Sequence, residues 1–236
     1  MRRRGVPRRL NPLGTGGIFE GTPTVNPEEN IMKVVLVNGS PHAKGCTFTA
    51  LAEVAGELEK NGVETEIFQI GNRPIRGCIA CGKCAESGCC IFTDDPVNAC
   101  VDKFKEADGI VVGSPVYYAA PNGALSALLD RVFFMKSSAY AYKPAAAVVS
   151  CRRGGATAAF DRLNKYFTIS NMPIVSSQYW NMVHGNTPEE VRQDLEGLQI
   201  MRTLGKNMAW LLKCIDKAAL PRPEREPQIW TNFIRE

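Results

Sequence analysis

Five cysteines, Cys78, Cys81, Cys84, Cys89 and Cys90, fall within thirteen residues. The first three are separated by two residues each, and a fourth thiol follows at Cys89 or Cys90. Such spacing lets one loop wrap three corners of a cubane, as in ferredoxin-type [4Fe–4S] ligation. A tetrahedral zinc site uses the same donors, and free thiols walling a redox pocket are the third reading. A disulfide framework fits least, because structural disulfides spread their cysteines to close long loops, and no secretory segment precedes these. Cys46, Cys100, Cys151 and Cys214 stand apart and read as small buried side chains or incidental thiols.

A second stretch, Lys33 to Leu51 (KVVLVNGSPHAKGCTFTAL), carries a different chemistry. Apolar Val34–Val37 break into Gly39, Ser40 and Pro41, and Leu51, Val54, Ala55 and Leu58 then repeat at helical spacing. That is a strand, a tight polar loop and an amphipathic helix. The loop offers the hydroxyls of Ser40, Thr47 and Thr49, Gly39 and Gly45 for close backbone approach, and a helix N-terminus, which together make an anion site. A Walker A loop needs four residues between its glycines and then Lys. Here five residues separate Gly39 from Gly45, and Cys46 stands in the lysine's place, which argues against a nucleotide triphosphatase. The dinucleotide pattern G-x-G-x-x-G is absent as well. A hydroxyl-rich loop without Lys suits the single terminal phosphate of flavin mononucleotide (FMN); the plainer reading is an ordinary polar strand-to-helix turn.

The elements that must position these stretches alternate. Strands are expected at Val34–Val37, Val63–Ile70, Ile110–Pro115, Lys143–Ser150 and Pro173–Ser177. Helices are expected after Cys46, near Pro96–Glu106, around Leu125–Phe133, over Ala156–Phe167, and as one long element carrying Val191 through Ile215. Near-continuous apolar strands alternating with helices imply a parallel sheet covered on both faces. The expected architecture is a flavodoxin-like, doubly wound, five-stranded α/β fold in the order 2-1-3-4-5, with ligands beyond the carboxyl ends of the strands. Loops 39–49, 76–92, 114–123, 150–155 and 178–185 all follow strands and so converge on one edge.

NGSPHAKGCT resembles the N-terminal signature of the NAD(P)H-dependent FMN reductase and iron–sulfur flavoprotein family, which reads roughly Gly-Ser-Pro-Arg-x-x-Gly-Asn-Thr. This chain departs from it at His42, in place of Arg, and at Cys46, in place of Asn. The likeness continues through the cysteine loop, GSPVYYAAPNGALSALLDR and a terminal TNFIR. It implies that Ser40, His42, Cys46 and Thr47 surround the FMN phosphate, and that Pro115, Val116, Tyr117 and Tyr118 line the isoalloxazine; either tyrosine could stack there or be core. Ser150, Gly154 and Gly155 in SCRRGG would meet the flavin's pyrimidine side or the NAD(P)H phosphate, if that loop is not simply a solvated basic turn. Cys90, followed by Ile91-Phe92 and Asp94-Asp95, aligns with the family's fourth cysteine, so the implied ligands are Cys78, Cys81, Cys84 and Cys90. Gly123 would serve close approach, and His184 has no catalytic role, because hydride transfer to flavin N5 needs no protein acid. The implied activity moves electrons from NAD(P)H through FMN to quinone, nitro, azo or flavin acceptors, or singly through a cluster to a protein carrier. The competing class is a non-enzymatic FMN/Fe–S electron-transfer or redox-sensing protein, and a zinc-stabilised interaction module comes third. A homodimer or homotetramer is the implied assembly.

The 236 residues fit one domain with tails, and 44% apolar with 22% charged residues is ordinary globular composition. The formal net charge of +4 comes largely from Arg2, Arg3, Arg4, Arg8 and Arg9, so no basic face argues for nucleic acid. No apolar run approaches a membrane span. Together with clustered thiols this reads as cytoplasmic. Residues 1–31 read as a disordered Arg/Gly/Pro-rich tail, and both Met1 and Met32 stay open as the natural start. Residues 32–220 form the FMN domain, and 221–236 an arm that docks on its own subunit or a neighbour through Trp230 and Phe233.

Overall fold

The computed structural model describes residues 31–227, 229–231, 233 and 234; the expected N-terminal tail lies outside them, apart from Ile31. Strand β1 (Lys33–Asn38) leads to α1 (Cys46–Lys60), β2 (Glu64–Gln69), the short α2 (Cys84–Ser87) and α3 (Val97–Glu106). Next come β3 (Gly109–Tyr117), β4 (Ala120–Pro121), α4 (Gly123–Tyr140), β5 (Ala145–Cys151) and α5 (Ala156–Ile169). The chain then forms β6 (Met182–His184), α6 (Pro188–Gln193) and α7 (Leu195–Ala218). Five strands are parallel in the order β2-β1-β3-β5-β6, and β4 folds back antiparallel on the end of β3. Counting the parallel strands alone, this is the expected 2-1-3-4-5.

Alternation along buried strands divides the core into two layers. Val35, Val37, Ile110, Val112, Ala145, Ala147 and Val149 belong to a cluster with residues of α3, α4 and α5. Val34, Leu36, Val111, Ala146 and Val148 belong to the opposite cluster, with residues of α1 and α7. All twelve are fully buried, so the strands are fixed from both sides and the loops at their carboxyl ends sit on a rigid floor. No described helix is long and apolar enough to cross a membrane.

Two expectations need correction. Pro173–Ser177 is not the fifth strand: it makes one isolated bridge, Ala145 with Ile174. Beyond that bridge the side chains of α7 and the backbone tie together instead, Asn207 donating to the Ser176 carbonyl (2.8 Å) and Ser177 donating to that of Ile200 (2.8 Å). The edge strand is Met182–His184, paired with the end of β5. The expected single C-terminal helix is two helices. Asp194 leaves helical geometry (φ −76°, ψ 77°) and its carboxylate caps α7 by accepting from Gly197 N. The apolar spacing runs through this break, which hides it from a periodicity reading.

Candidate functional site

The corner after β1 is assembled by amide side chains. Gly39 N donates to the Gly113 carbonyl at 2.8 Å, and a Cβ on Gly39 would lie 2.4 Å from Leu125 Cδ2, so only glycine lets the loop sit between β3 and α4. Asn122 Nδ2 donates to the Gly39 carbonyl (2.9 Å), Gln69 Nε2 to that of Ser40 (2.7 Å), and Asn38 Nδ2 to that of His42 (3.3 Å). The carbonyls that would repel an anion are therefore tied into the scaffold. Gly45 caps α1 with no side chain, which leaves the first-turn N–H groups of that helix available to a ligand. Ser40 is buried, its hydroxyl accepting from His42 N at 3.1 Å.

Thr47, in the first turn of α1, and Ser150, near the end of β5, meet in this corner with their hydroxyls 2.8 Å apart and both side chains buried. His42 is exposed on the loop surface. Cys46 opens α1 with its thiol 3.8 Å from the Gly185 carbonyl, and burial pushes that thiol's pKa up.

The neighbouring wall is an unusual hairpin. Val116 pairs with Pro121 and Tyr117 with Ala120, which leaves Tyr118 and Ala119 as a two-residue turn. Both have positive φ, 49° and 61°, as a type I′ turn requires, although Asn-Gly is the usual sequence there. Holding non-glycine residues in this region costs of order 1–2 kcal/mol each. Tyr117 is 46% exposed and Tyr118 fully so, so neither is core. Pro115 and Val116 lead into the turn half-buried. Gly154 is exposed, and Gly155 (φ +85°) abuts the hairpin: a Cβ there would lie 2.8 Å from Ala119 Cα. The base of the hairpin is closed by Ser114, whose hydroxyl accepts from Asn122 N (2.9 Å) and donates to the Pro115 carbonyl (2.8 Å). Gly123 is not there for close approach, since a Cβ would meet nothing within 4 Å.

The cysteine loop folds over α4. Cys78, Cys81, Cys84 and Cys90 line one small pocket with Ile79, Gly82, Ile91, Phe92, Arg131, Phe134 and Met135. Cys89 is exposed and outside that lining. Left-handed Ala80 (φ 53°) and Gly82 (φ 71°) wind the loop between the first three thiols. Among the described residues, no three Cys, His, Asp or Glu side chains converge closely enough to share a single ion. Four thiolates are the donor set that either a cubane or a tetrahedral zinc would take. Arg131 donates from Nη2 to Cys90 Sγ at 3.0 Å.

The NADPH-dependent FMN reductase family profile matches residues 32–187. An iron–sulfur flavoprotein of Methanocaldococcus jannaschii is 32% identical over 197 residues, covering 79% of this chain and 100% of the relative. The chain belongs to the NADPH-dependent FMN reductase and iron–sulfur flavoprotein family. An iron–sulfur flavoprotein of Methanosarcina thermophila is 30% identical, covering 79% of this chain and 98% of its own. An archaeal flavodoxin structure superposes with a TM-score of 0.52 at 15% identity, covering 78% of this chain and 99% of its own length, and so shares the fold.

Within that family's architecture, the residues singled out from sequence around the phosphate corner and hairpin gather at the carboxyl ends of β1, β3 and β5. Four residues were missed. Asn38, Gln69 and Asn122 hold the loop carbonyls, and Arg131 meets Cys90. Asn122 had a readable signal, an N-cap residue ahead of a helical repeat; its side chain accepts from Ala124 N. Gln69 and Arg131 carry none, because what they touch is distant in sequence, whereas Asn38 acts locally, two and four residues from Ser40 and His42.

Proposed function

We propose that the chain is an FMN-dependent NAD(P)H oxidoreductase that delivers electrons to quinone, nitro, azo or flavin acceptors, and singly through a [4Fe–4S] cluster on the cysteine loop to a protein carrier. The observation that carries this reading is the corner after β1. Its carbonyls are tied back, its helix N-terminus is uncapped, and it faces the exposed Tyr117–Tyr118 hairpin. Ser40, Thr47 and the N–H groups of α1 would hold the phosphate; Pro115–Tyr118 and Ser150–Gly155 would flank the ring. FMN, when bound, supplies the two-electron to one-electron chemistry. The protein's own part is to fix the ring between two loops that sit against each other, and to keep water from one side. Cys78, Cys81, Cys84 and Cys90 would hold the cluster. Free thiols without intramolecular pairing agree with a reducing, cytoplasmic setting, and assembly as a homodimer or homotetramer would cover exposed Trp180, Trp210 and the C-terminal arm.

The test is anaerobic purification followed by a visible spectrum, iron and acid-labile sulfide assays, and NADH and NADPH oxidation with a quinone acceptor. Flavin and cluster absorption with turnover is the expected result. A colourless protein would sink the reading, and bound FMN without turnover of any small acceptor would favour a pure electron-transfer protein. Cys81→Ser should lose iron and sulfide while keeping FMN, and Cys89→Ser should lose neither.

A further inference from the structure

One buried cation faces the thiol cavity, and nothing in the flavin reading uses it. The side chain of Arg131 on α4 is 2% exposed and that of Asp95, its ion-pair partner, 1%. Nη1 donates to the Asp95 carboxylate and to the Arg76 carbonyl (3.2 Å). The guanidinium lies 5.2 Å from the Phe92 ring centroid, and Arg76 lies 4.8 Å from the same ring. Nη2 ends on Cys90 Sγ at 3.0 Å, while Nε is buried with no partner.

A buried ion pair is poor evidence for stability, because desolvating both charges offsets most of their attraction. An arrangement that leaves Nε unsatisfied while aiming Nη2 at a sulfur serves the sulfur. Cys90 is also pinned through its backbone. Its N–H donates to Asn98 Oδ1 (2.8 Å), and its carbonyl accepts from Asn98 Nδ2 (2.9 Å). Cys89 is held only within its own exposed turn, its carbonyl accepting from the Ser87 hydroxyl (2.9 Å) and its N–H donating to the same oxygen (3.4 Å), so what sets Cys90 apart is the bond to its sulfur.

We propose that Arg131 is the positioning residue of this site: it selects Cys90 over Cys89 as the fourth cluster ligand, and its hydrogen bond to that sulfur raises the cluster's reduction potential. The inference rests on the cluster reading above. Reduction adds one electron and one negative charge, and a guanidinium donating to a ligand sulfur stabilises the more negative form; hydrogen bonds to sulfur are a recognised control of such potentials. Lysine cannot replace this fork, since one ammonium lacks the planar geometry that reaches carboxylate, carbonyl and sulfur together.

The experiment uses the full chain, anaerobically reconstituted with iron and sulfide in the presence of FMN. Wild type is compared with Arg131→Lys and with the double variant Arg131→Met/Asp95→Asn, which removes both buried charges and so leaves no orphaned carboxylate. Iron, sulfide and FMN are quantified, and the cluster's midpoint is read by an EPR-monitored redox titration. Both variants should keep FMN. Their one-electron equilibrium should move about tenfold toward the oxidised form, a fall of about 59 mV, and a chelator should strip their iron faster. If wild type holds a cluster and both variants match its potential and iron retention, the inference is overturned and the cluster reading stands. If wild type holds FMN but takes up no iron, both fall. Should the double variant fail to fold, Arg131→Lys decides alone, and a wild-type potential in it overturns the proposal.

Discussion

Replacing Thr47 with Val exchanges a hydroxyl for a methyl at nearly constant volume, in a side chain that is 1% exposed. Two consequences follow, and they separate. The first is on the ligand: if the Thr47 hydroxyl meets the FMN phosphate, losing that charge-assisted bond costs about 1.5–3 kcal/mol, a ten- to hundredfold rise in Kd. The second is on the fold, because Thr47 also bonds Ser150 at 2.8 Å. Removing its hydroxyl leaves that of Ser150, 4% exposed, without this partner, which costs about 1–3 kcal/mol in the apoprotein. In a domain of this size each kcal/mol lowers Tm by roughly 2–4 °C. Adding Ser150→Ala removes the stranded hydroxyl, so the double variant should recover apoprotein Tm while FMN affinity stays weak. Apoprotein melting and flavin-fluorescence titration read the two effects independently. Unchanged Kd in Thr47→Val, and in Thr47→Val combined with Ser40→Ala, would remove the phosphate from this corner.

Gly155→Ala forces a Cβ within 2.8 Å of Ala119 Cα at φ +85° and should cost about 1–3 kcal/mol; an unaltered Tm would mean that the hairpin and the loop after β5 are not seated on each other. Truncation after Leu220 removes Trp230 and Phe233, which are 82% and 91% exposed on the single chain, and so should shift the oligomeric state in sedimentation while leaving flavin content alone; an unchanged distribution would show that the arm docks on no neighbour. Glu66 bridges Lys33 (2.8 Å) and Lys103 (3.0 Å), and the Lys33 hydrogen bond first, with Lys103, holds its carboxyl below the ordinary 4.5. Because the folded value is the lower one, this stabilisation is present above about pH 4.5 and is lost as pH falls through the folded value; Glu66→Gln should flatten the acid fall in Tm, and superposable profiles would show that the bridge contributes nothing.

The fold was legible because it is written in short-range patterns. Val34–Val37 had to be a strand covered on both faces, and Leu51, Val54 and Leu58 had to be one face of a helix, so the loop between them was fixed as a corner. Where chain direction was decided by contacts distant in sequence, the pattern misled. Pro173–Ser177 has the composition of a strand, yet Asn207 and the carbonyl of Ile200 take its polar groups and leave the sheet edge to Met182–His184. The Tyr118–Ala119 turn was equally hidden, since neither residue advertises a left-handed conformation; it is held by the Ser114–Asn122 bond below it and by Gly155 beside it.

That turn also shows how the candidate site is built. A loop of Asn-Gly would adopt the same path without strain, so the present one carries a cost that its neighbours must offset. What Tyr118 provides in return is a fully exposed phenol ring fixed at the tip of a two-stranded arm, next to a corner whose carbonyls are already committed to the scaffold. The cysteine loop repeats the scheme with different chemistry. Left-handed Ala80 and Gly82 turn three thiols toward one cavity, and Asn98 and Arg131 hold the fourth. In both places a short loop of low intrinsic preference is made rigid by side chains from distant elements, Asn122 for the hairpin and Arg131 for the thiols. Both of these lie on or next to α4, so a single helix registers the Tyr118 arm and the sulfur cavity on one frame. With a flavin and a cluster bound as proposed, the shared helix would hold the two at a constant separation, which electron passage between them would require.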